Sequence, residues 1–286
     1  MSGREVMKRV DMIRAEEKKY HDECYKQHKL FEKGSWLYKP VQTVLEMLPK
    51  IKEIENPNVL DLGSGVGRNS IPIAEAVKSN RGKVVCVDLL ESAIENLLCY
   101  SKQFEVEQVI EPYLSDIEGF EIREQSYDFV VAVSSLEHVS SELTLKRVLT
   151  DMEKGTKPGG LVCLVINTEV TEIDLHTGES LDALIEVNLS TYDMIHELNP
   201  VFKGWKLVKH LVKPLEYNIE RNGVPILLKT NAVTYVVQNK RGCHDTDWIS
   251  ARRWRQPGCL HGRRPSLFNG TKYIPAIYDW GFGGCL

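Results

Sequence analysis

The sequence predicts an α/β protein built on a doubly wound, mostly parallel seven-stranded sheet with an antiparallel closing hairpin. Three observations support this fold class. Short apolar runs alternate with amphipathic helical patterns as far as residue 166. The first of these runs ends in an acid and opens into a glycine-rich turn at residues 58–67. Two later apolar runs flank an Asn-Gly pair at residues 222–223, a preferred sequence for a tight hairpin turn.

The first 33 residues are expected to form a helical lid. Residues 3–30 follow a helical pattern with many charges and only a thin apolar stripe, so this helix could not fold alone. Tyr20, Tyr25 and Trp36 are candidates to cover a site and exclude water, with Tyr20 and Trp36 as tentative substrate contacts. Packing in the core is the alternative role for these aromatic side chains.

The same helix carries three side chains of types that bind metals. His21, Cys24 and His28 lie on one helical face, a geometry that a metal site could use. No fourth ligand or second cluster is visible in the sequence. We therefore expect an ordinary polar helix face and predict no metal.

The glycine-rich stretch at residues 58–67 predicts a buried strand, a tight loop and a helix N-terminus. Glycines in this loop would let backbone N–H groups approach a ligand, and the helix dipole favours a bound anionic group. A dinucleotide fingerprint starting at Gly63 would need a small residue where Arg68 stands, and only a degenerate match starts at Gly65. The candidate cofactor contacts in this loop are Asp61, Gly63, Ser64 and Gly65.

The following segments continue the strand and helix alternation. Residues 83–88 predict a second buried strand ending in Asp88, about 20 residues beyond the glycines, where a carboxylate accepts ribose hydroxyls. Ser92 and Glu95 predict a capping box for the next helix. Further strands are predicted at residues 109–114, 127–133 and 161–166. The polar stretch at residues 167–200 contains possible substrate ligands that we expect to be solvated, namely Asp174, His176 and Glu186.

Residues 34–240 resemble the class I S-adenosylmethionine-dependent methyltransferases. Motif I of that family, Asp/Glu-x-Gly-x-Gly-x-Gly, is matched at every position by Asp61, Gly63, Gly65 and Gly67. Leu-Glu-His-Val at residues 136–139 and Lys-Pro-Gly-Gly at residues 157–160 are further recurrent elements of the resemblance. Residues 61–70 are most similar to the tellurite-resistance-type small-molecule methyltransferases, although Ser64 replaces the Cys that is common there.

This resemblance implies a Rossmann-like methyltransferase fold, S-adenosyl-L-methionine as the cofactor and a small-molecule methyl acceptor. An acid at the position of Asp116 commonly holds the adenine amino group in the family, and Ile117 would pack on the ring. Capping of the turn is the structural alternative for Asp116. His138 is the candidate catalytic base and also a tentative substrate contact, and a capping or packing role is its alternative. The implied cofactor contacts are Asp61, Gly63, Ser64, Gly65, Asp88, Leu89, Asp116, Ile117 and Ser134.

Composition limits the other classes of protein. The chain of 286 residues has 42% hydrophobic residues, but no apolar run reaches the ~20 residues that span a bilayer, and the N-terminus lacks a signal-peptide pattern. Seven cysteines without framework spacing suggest reduced thiols, so a cytoplasmic location is expected. A NAD-dependent oxidoreductase and a protein or nucleic-acid methyltransferase remain as alternatives. The sequence names neither the acceptor nor the oligomeric state.

Residues 241–286 differ from the rest of the chain. They contain seven basic residues and three Asp, a net charge of +4, which leaves −8 for residues 1–240 out of the total of −4. Three of the five Trp also lie in this tail, without helix or strand periodicity. We expect an irregular basic tail outside the fold, and the acidic body argues against a nucleic-acid partner.

Overall fold

A computed structural model describes residues 3–221 and 223–240. The helices there are α1 (Gly3–Gln27), α2 (Gln42–Ile51), α3 (Ser70–Val77), α4 (Glu91–Gln103), α5 (Glu142–Gly155) and α6 (Thr191–Val201). The strands are β1 (Asn58–Leu62), β2 (Lys83–Asp88), β3 (Ile110–Leu114), β4 (Tyr127–Val133), β5 (Thr156–Asp174), β6 (Ser180–Leu181), β7 (Lys206–Arg221) and β8 (Val224–Gln238). Short 3₁₀ turns at Trp36–Tyr38 and Leu136–His138 also contribute to the site.

The predicted sheet is confirmed, with one short strand added. Its order is β3-β2-β1-β4-β5-β8-β7, and β6 pairs with β5 off this path. Strands β1 to β5 pair in parallel, whereas β8 is antiparallel to both β5 and β7. The closing hairpin turns between Arg221 and Val224 with Gly223 at φ +81°, as a tight turn requires.

Two apolar layers cover the two faces of the sheet, as alternating side chains on each strand require. Val59 on β1 points to the layer that contains α2, α3 and α4. Leu60 and Leu62 point to the opposite layer, formed with α5 and α6. Strands β1, β2 and β4 are therefore buried on both faces, and the carboxyl ends of the parallel strands remain as the edge where a ligand binds in this class of sheet.

Strand β5 is longer than the predicted residues 161–166. It begins at Thr156, just before the Lys-Pro-Gly-Gly step, and it runs to Asp174 because β8 pairs with it well past Val165, the last residue that pairs with β4. The pairing shifts register between Thr168 and Thr171, where Glu169 has φ +53°. The outer part of the hairpin consequently extends beyond the carboxyl edge of the parallel strands.

The predicted capping box at Ser92 is wrong. Helix α4 has Leu90 at its N-cap without a side-chain cap, and the Ser92 hydroxyl instead donates a hydrogen bond to Asp22 of α1. A contact with a distant helix has replaced the local one that the sequence suggested.

No helix in the described part of the chain is long and apolar enough to cross a membrane. The basic tail predicted at residues 241–286 lies outside the described residues.

Candidate active site

The glycine loop follows β1 at the carboxyl edge of the sheet. Gly63, Gly65 and Gly67 all have positive φ angles, of 74°, 53° and 97°. A Cβ on Gly63 would lie 2.3 Å from Ser135 Cβ, and one on Gly67 would lie 2.6 Å from Leu97 Cδ1. A Cβ on Gly65 would contact only the Tyr25 hydroxyl, at an ordinary distance of 3.5 Å. Close packing thus requires glycine at positions 63 and 67, whereas Gly65 faces space that a ligand could enter.

Buried polar atoms without partners lie in the same loop. Asp61 is 1% exposed and accepts a hydrogen bond from the Ser70 hydroxyl at 2.6 Å, yet its Oδ1 has no partner. The hydroxyl of Ser64 is also buried without a partner. Burial raises the pKa of Asp61 to about 6. Such atoms fit a polar ligand that supplies the missing hydrogen bonds, as the amino-acid end of S-adenosylmethionine would.

Asp88 ends β2 next to the glycine loop, as predicted. Its Oδ2 accepts a hydrogen bond from the Gly65 N–H at 2.7 Å, and its Oδ1 accepts one from the Leu90 N–H at 2.9 Å. Burial raises the pKa of Asp88, and these backbone hydrogen bonds oppose the rise. Leu89, 47% exposed, lies on the wall of a cavity of about 450 Å³ between α1 and the ends of β2 and β3. An adenosine group could enter this space.

Asp116 follows β3 and has two kinds of partner. Its Oδ1 accepts a hydrogen bond from the Glu118 N–H at 3.0 Å, which is the turn-capping role weighed from the sequence. Its Oδ2 forms an ion pair with Arg14 of α1 at 2.9 Å. Ile117 lies beside the glycine loop, because its Cδ1 is 3.7 Å from the place of a Cβ on Gly63. The structure therefore brings both predicted adenine contacts to the cofactor edge.

The segment after β4 brings Ser134 and His138 to the same edge. Ser134 is exposed, has φ +50° and donates its N–H to the Val165 carbonyl at 2.8 Å. The next residue, Ser135, donates its hydroxyl to the Leu62 carbonyl at 2.8 Å and lies against Gly63. Three residues later His138 ends the 3₁₀ turn. The loop that carries His138 is thus fastened directly to the glycine loop.

His138 forms an ion pair with a carboxylate that was expected to be solvated. The Nδ1 of His138 lies 2.9 Å from Oε2 of Glu186, whose side chain is only 1% exposed. Burial alone would lower the pKa of His138, but the hydrogen bond to Glu186 and the charges of Glu17 and Glu137 raise this pKa to about 9. The expectation of a solvated Glu186 is wrong, because a histidine 48 residues away in sequence compensates its charge.

Aromatic side chains from the N-terminal region gather near this edge. The ring of His21 contacts Tyr20, Tyr25 and Trp36 at centroid distances of 5.4, 5.7 and 5.7 Å. The guanidinium of Arg68, next to the glycine loop, stacks on Trp36 at 5.0 Å. Trp36 is therefore placed beside the cofactor loop, whereas Tyr20 contacts the His21 ring, and a substrate contact of either side chain stays a prediction. In the described part of the chain no group of three His, Cys, Asp or Glu side chains could hold a metal ion.

Arg14 is a site residue that the sequence did not identify. Besides Asp116, its guanidinium pairs with Glu118 at 2.5 Å and has its Nε 3.8 Å from Oε1 of Glu186. One side chain from α1 thus reaches both the expected adenine contact and the partner of His138. Its only signal in the sequence was a position on the charged face of a predicted lid helix, which carries many similar residues.

Comparisons with known proteins agree with this geometry. A family model described as a methyltransferase domain matches residues 59–160. The ubiquinone biosynthesis O-methyltransferase of Hydrogenovibrio crunogenus is 30% identical over 118 residues, which cover 41% of this chain and 46% of that protein. The chain therefore spans about half the length of this curated relative.

Solved structures show the same fold. An S-adenosylmethionine-dependent methyltransferase from Methanosarcina mazei has 18% identity and a TM-score of 0.50, covering 71% of this chain and 99% of that one. A second solved structure, reported for the conversion of a disulfide bond into a thioacetal group during echinomycin biosynthesis, has 16% identity and a TM-score of 0.51. The match covers 82% of this chain and 98% of that one. The tellurite-resistance-type subgroup stays a prediction. Motif I, the sheet order and the domain match agree: residues 59–160 match a methyltransferase domain and lie in a sheet with the order of the class I methyltransferase fold.

Proposed function

We propose that the protein transfers the methyl group of S-adenosylmethionine to a nucleophile on a small molecule, with His138 taking the acceptor's proton. The observation that carries this proposal is the contact between the two loops: Ser135, just before the His138 turn, packs on Gly63 of motif I. A cofactor on the glycine loop would therefore lie at the same edge of the sheet as the turn that ends in His138. The match of residues 59–160 to a methyltransferase domain favours methyl transfer over the dehydrogenase alternative.

Each part of the cofactor would contact a different group of the predicted site residues. Asp88 would accept the ribose hydroxyls, Asp116 would hold the adenine amino group, and Leu89 with Ile117 would enclose the ring. Asp61, Ser64 and the backbone of Gly63, Gly65 and Ser134 would surround the amino-acid end. When bound, the cofactor supplies an electrophilic methyl group on a positively charged sulfur. The protein then has to hold the acceptor in line with that methyl group and remove a proton from it where needed.

A small acceptor fits the way in which α1 covers the site. Near its start, Arg9 donates hydrogen bonds to the carbonyls of Ala183 and Ile185, at 2.9 and 3.0 Å. In its middle, Glu17 lies 3.8 Å from Arg221 at the tip of the closing hairpin. These contacts fasten α1 to the segment before Glu186 and to the hairpin, which supports a small acceptor over a protein or nucleic acid. The name of the curated relative favours a hydroxyl acceptor.

The arrangement of domains is part of the proposal. We propose residues 34–240 as the catalytic domain, residues 1–33 as a helical lid and residues 241–286 as a dispensable tail. A cytoplasmic location is supported by four free cysteines among the described residues, namely Cys24, Cys86, Cys99 and Cys163.

The test begins with calorimetry using S-adenosylmethionine and continues with a labelled-methyl screen over small hydroxyls, thiols, amines and metalloid anions. His138→Asn should lower kcat by about 10²–10⁴-fold, the usual contribution of a positioned base, and leave the cofactor Kd unchanged. His196→Asn, on an exposed part of α6, is the matched control. Wild-type turnover in His138→Asn would remove the base from the mechanism, and absent cofactor binding would overturn the proposed function itself.

A further inference from the structure

We propose that Glu186 is the positioning residue for His138, holding the imidazole through Nδ1 so that Nε2 is presented to the methyl acceptor. This inference rests on the proposed function and adds to it a residue outside both motif I and the segment after β4. A carboxylate in this position would select one tautomer and stabilise the imidazolium that forms when the acceptor gives up its proton.

The backbone that carries Glu186 is fixed on both sides. It belongs to the stretch between β6 and α6, where the neighbouring side chains Ile185 and Val187 are 5% and 2% exposed. The N–H of Val187 donates a hydrogen bond to the carbonyl of Glu137 at 3.0 Å, which joins this stretch to the turn that bears His138. Arg9 of α1 binds the carbonyl of Ile185 from the other side. Such anchoring suits a side chain that must hold another in one orientation.

The side chain of Glu186 has few partners for a buried charge. Its Oε2 is bonded to His138, while its Oε1 has no hydrogen bond and lies 3.8 Å from the Nε of Arg14, which also lacks one. An isolated buried carboxylate destabilises the folded state unless a cation compensates its charge. The burial of Glu186 therefore depends on the hydrogen-bonded pair with His138, with Arg14 as the more distant second cation.

The charges that face His138 come from three elements. Glu17 of α1, Glu137 of the 3₁₀ turn and Glu186 are all carboxylates, and Arg14 is the nearby cation beyond Glu186. Glu137 is itself held by the backbone and side-chain N–H groups of Asn167, at 3.1 and 2.7 Å. Because Glu186 alone of the three carboxylates makes a hydrogen bond to the ring, its removal should have the largest effect on the titration of His138.

The proposed reaction is a displacement at the methyl carbon that also releases a proton from the acceptor. A lone pair of the acceptor atom forms the new bond to the methyl carbon, the carbon–sulfur bond breaks and its electron pair stays on sulfur. The proton of the acceptor moves to Nε2 of His138 and later leaves to solvent. Since the paired histidine has to be neutral to accept this proton, turnover should rise with pH. The acceptors best matched to such a base are phenols and thiols, whose ordinary pKa values lie near ~10 and ~8.5.

The experiment compares wild type with Glu186→Gln, which keeps the shape and removes the charge, and with Glu186→Asp as the conservative variant. Glu179→Gln, an exposed glutamate in the preceding loop, is the matched control. NMR titration of labelled histidines, with the His138 signal assigned by its loss in His138→Asn, should give a wild-type inflection near pH 9. In Glu186→Gln this inflection should fall by about 1–3 units, the usual effect of losing a close opposite charge.

Kinetics supply the second readout. The pH dependence of kcat with a phenol or thiol acceptor should shift to lower pH in Glu186→Gln, with a reduced plateau and an unchanged cofactor Kd, and Glu186→Asp should recover part of the plateau. An unmoved His138 titration in Glu186→Gln would overturn the inference, and so would a moved titration with an unchanged kcat profile. If the wild type binds no S-adenosylmethionine, the proposed function fails, whereas the titration still decides the pairing.

Discussion

Gly65 offers a test that separates ligand binding from folding. Alanine at this position would have the left-handed φ of +53°, which costs about 1–2 kcal/mol for an L-residue. The added Cβ would meet only the Tyr25 hydroxyl at 3.5 Å, an ordinary contact. For a domain of this size each kcal/mol lowers Tm by about 2–4 °C, so Gly65→Ala should melt about 2–8 °C below wild type.

The cofactor should respond more strongly than the fold. The new methyl group would occupy space through which the backbone of the loop approaches its ligand, and losing about 1.4 kcal/mol of binding free energy raises Kd tenfold. We therefore expect calorimetry to show at least about a tenfold weaker affinity for S-adenosylmethionine in folded Gly65→Ala, and no measurable binding in Gly65→Val.

Gly67 provides the matched comparison within the same loop. A Cβ there would lie 2.6 Å from Leu97 Cδ1 and 3.0 Å from Ile71 Cγ1, with φ at +97°. In Gly67→Ala, overpacking and backbone strain together should lower the free energy of unfolding by about 2–5 kcal/mol. The Gly67→Ala protein that remains folded should keep more of its cofactor affinity than Gly65→Ala does. Wild-type Kd in Gly65→Ala would refute the assignment of this glycine to the ligand.

Asp88→Asn should raise the cofactor Kd by about 10–100-fold, because hydrogen bonds to a charged group contribute about 1.5–3 kcal/mol. Glu124→Gln, at an exposed position, is the control and should leave the Kd unchanged, and calorimetry with S-adenosylmethionine measures both values. A chain ending at Lys240 should keep its Tm, cofactor affinity and activity, and a large loss in any of them would show that the tail is needed. The raised pKa of His138 in the folded protein stabilises the fold fully below about pH 6.5, and this stabilisation is lost as pH rises through about 9. Melting curves should therefore show a smaller decrease of Tm over this pH range in Glu186→Gln than in wild type.

The cofactor half of the site was predictable because its residues lie within single strand–loop–helix units. Asp61 and the glycines are fixed by motif spacing, and Asp88 follows from the next strand of the same unit. Parallel strands bring their carboxyl ends to one edge, so local patterns were enough to place these side chains together. The same rule placed the His138 turn beside the glycine loop.

Errors arose where a distant partner outweighed a local preference. The predicted fifth strand covered only residues 161–166, yet β5 begins at Thr156, which pairs with β4, and continues to Asp174, because β8 pairs with it beyond residue 166. Ser92 suggested a cap, yet its hydroxyl bonds to Asp22, 70 residues earlier. In both cases long-range pairing overrode the local preference.

The acceptor half of the site shows the same limit more sharply. A glutamate in a polar stretch is usually solvated, because the cost of burying its charge exceeds any local gain. Glu186 escapes this expectation only because His138 and Arg14, 48 and 172 positions away, approach it in the folded chain. Neither approach leaves a pattern in the sequence, since each partner belongs to a different packing unit. Charge pairs of this kind determine whether His138 is neutral or protonated, and the chemistry of the proposed base therefore depends on contacts that only the fold reveals.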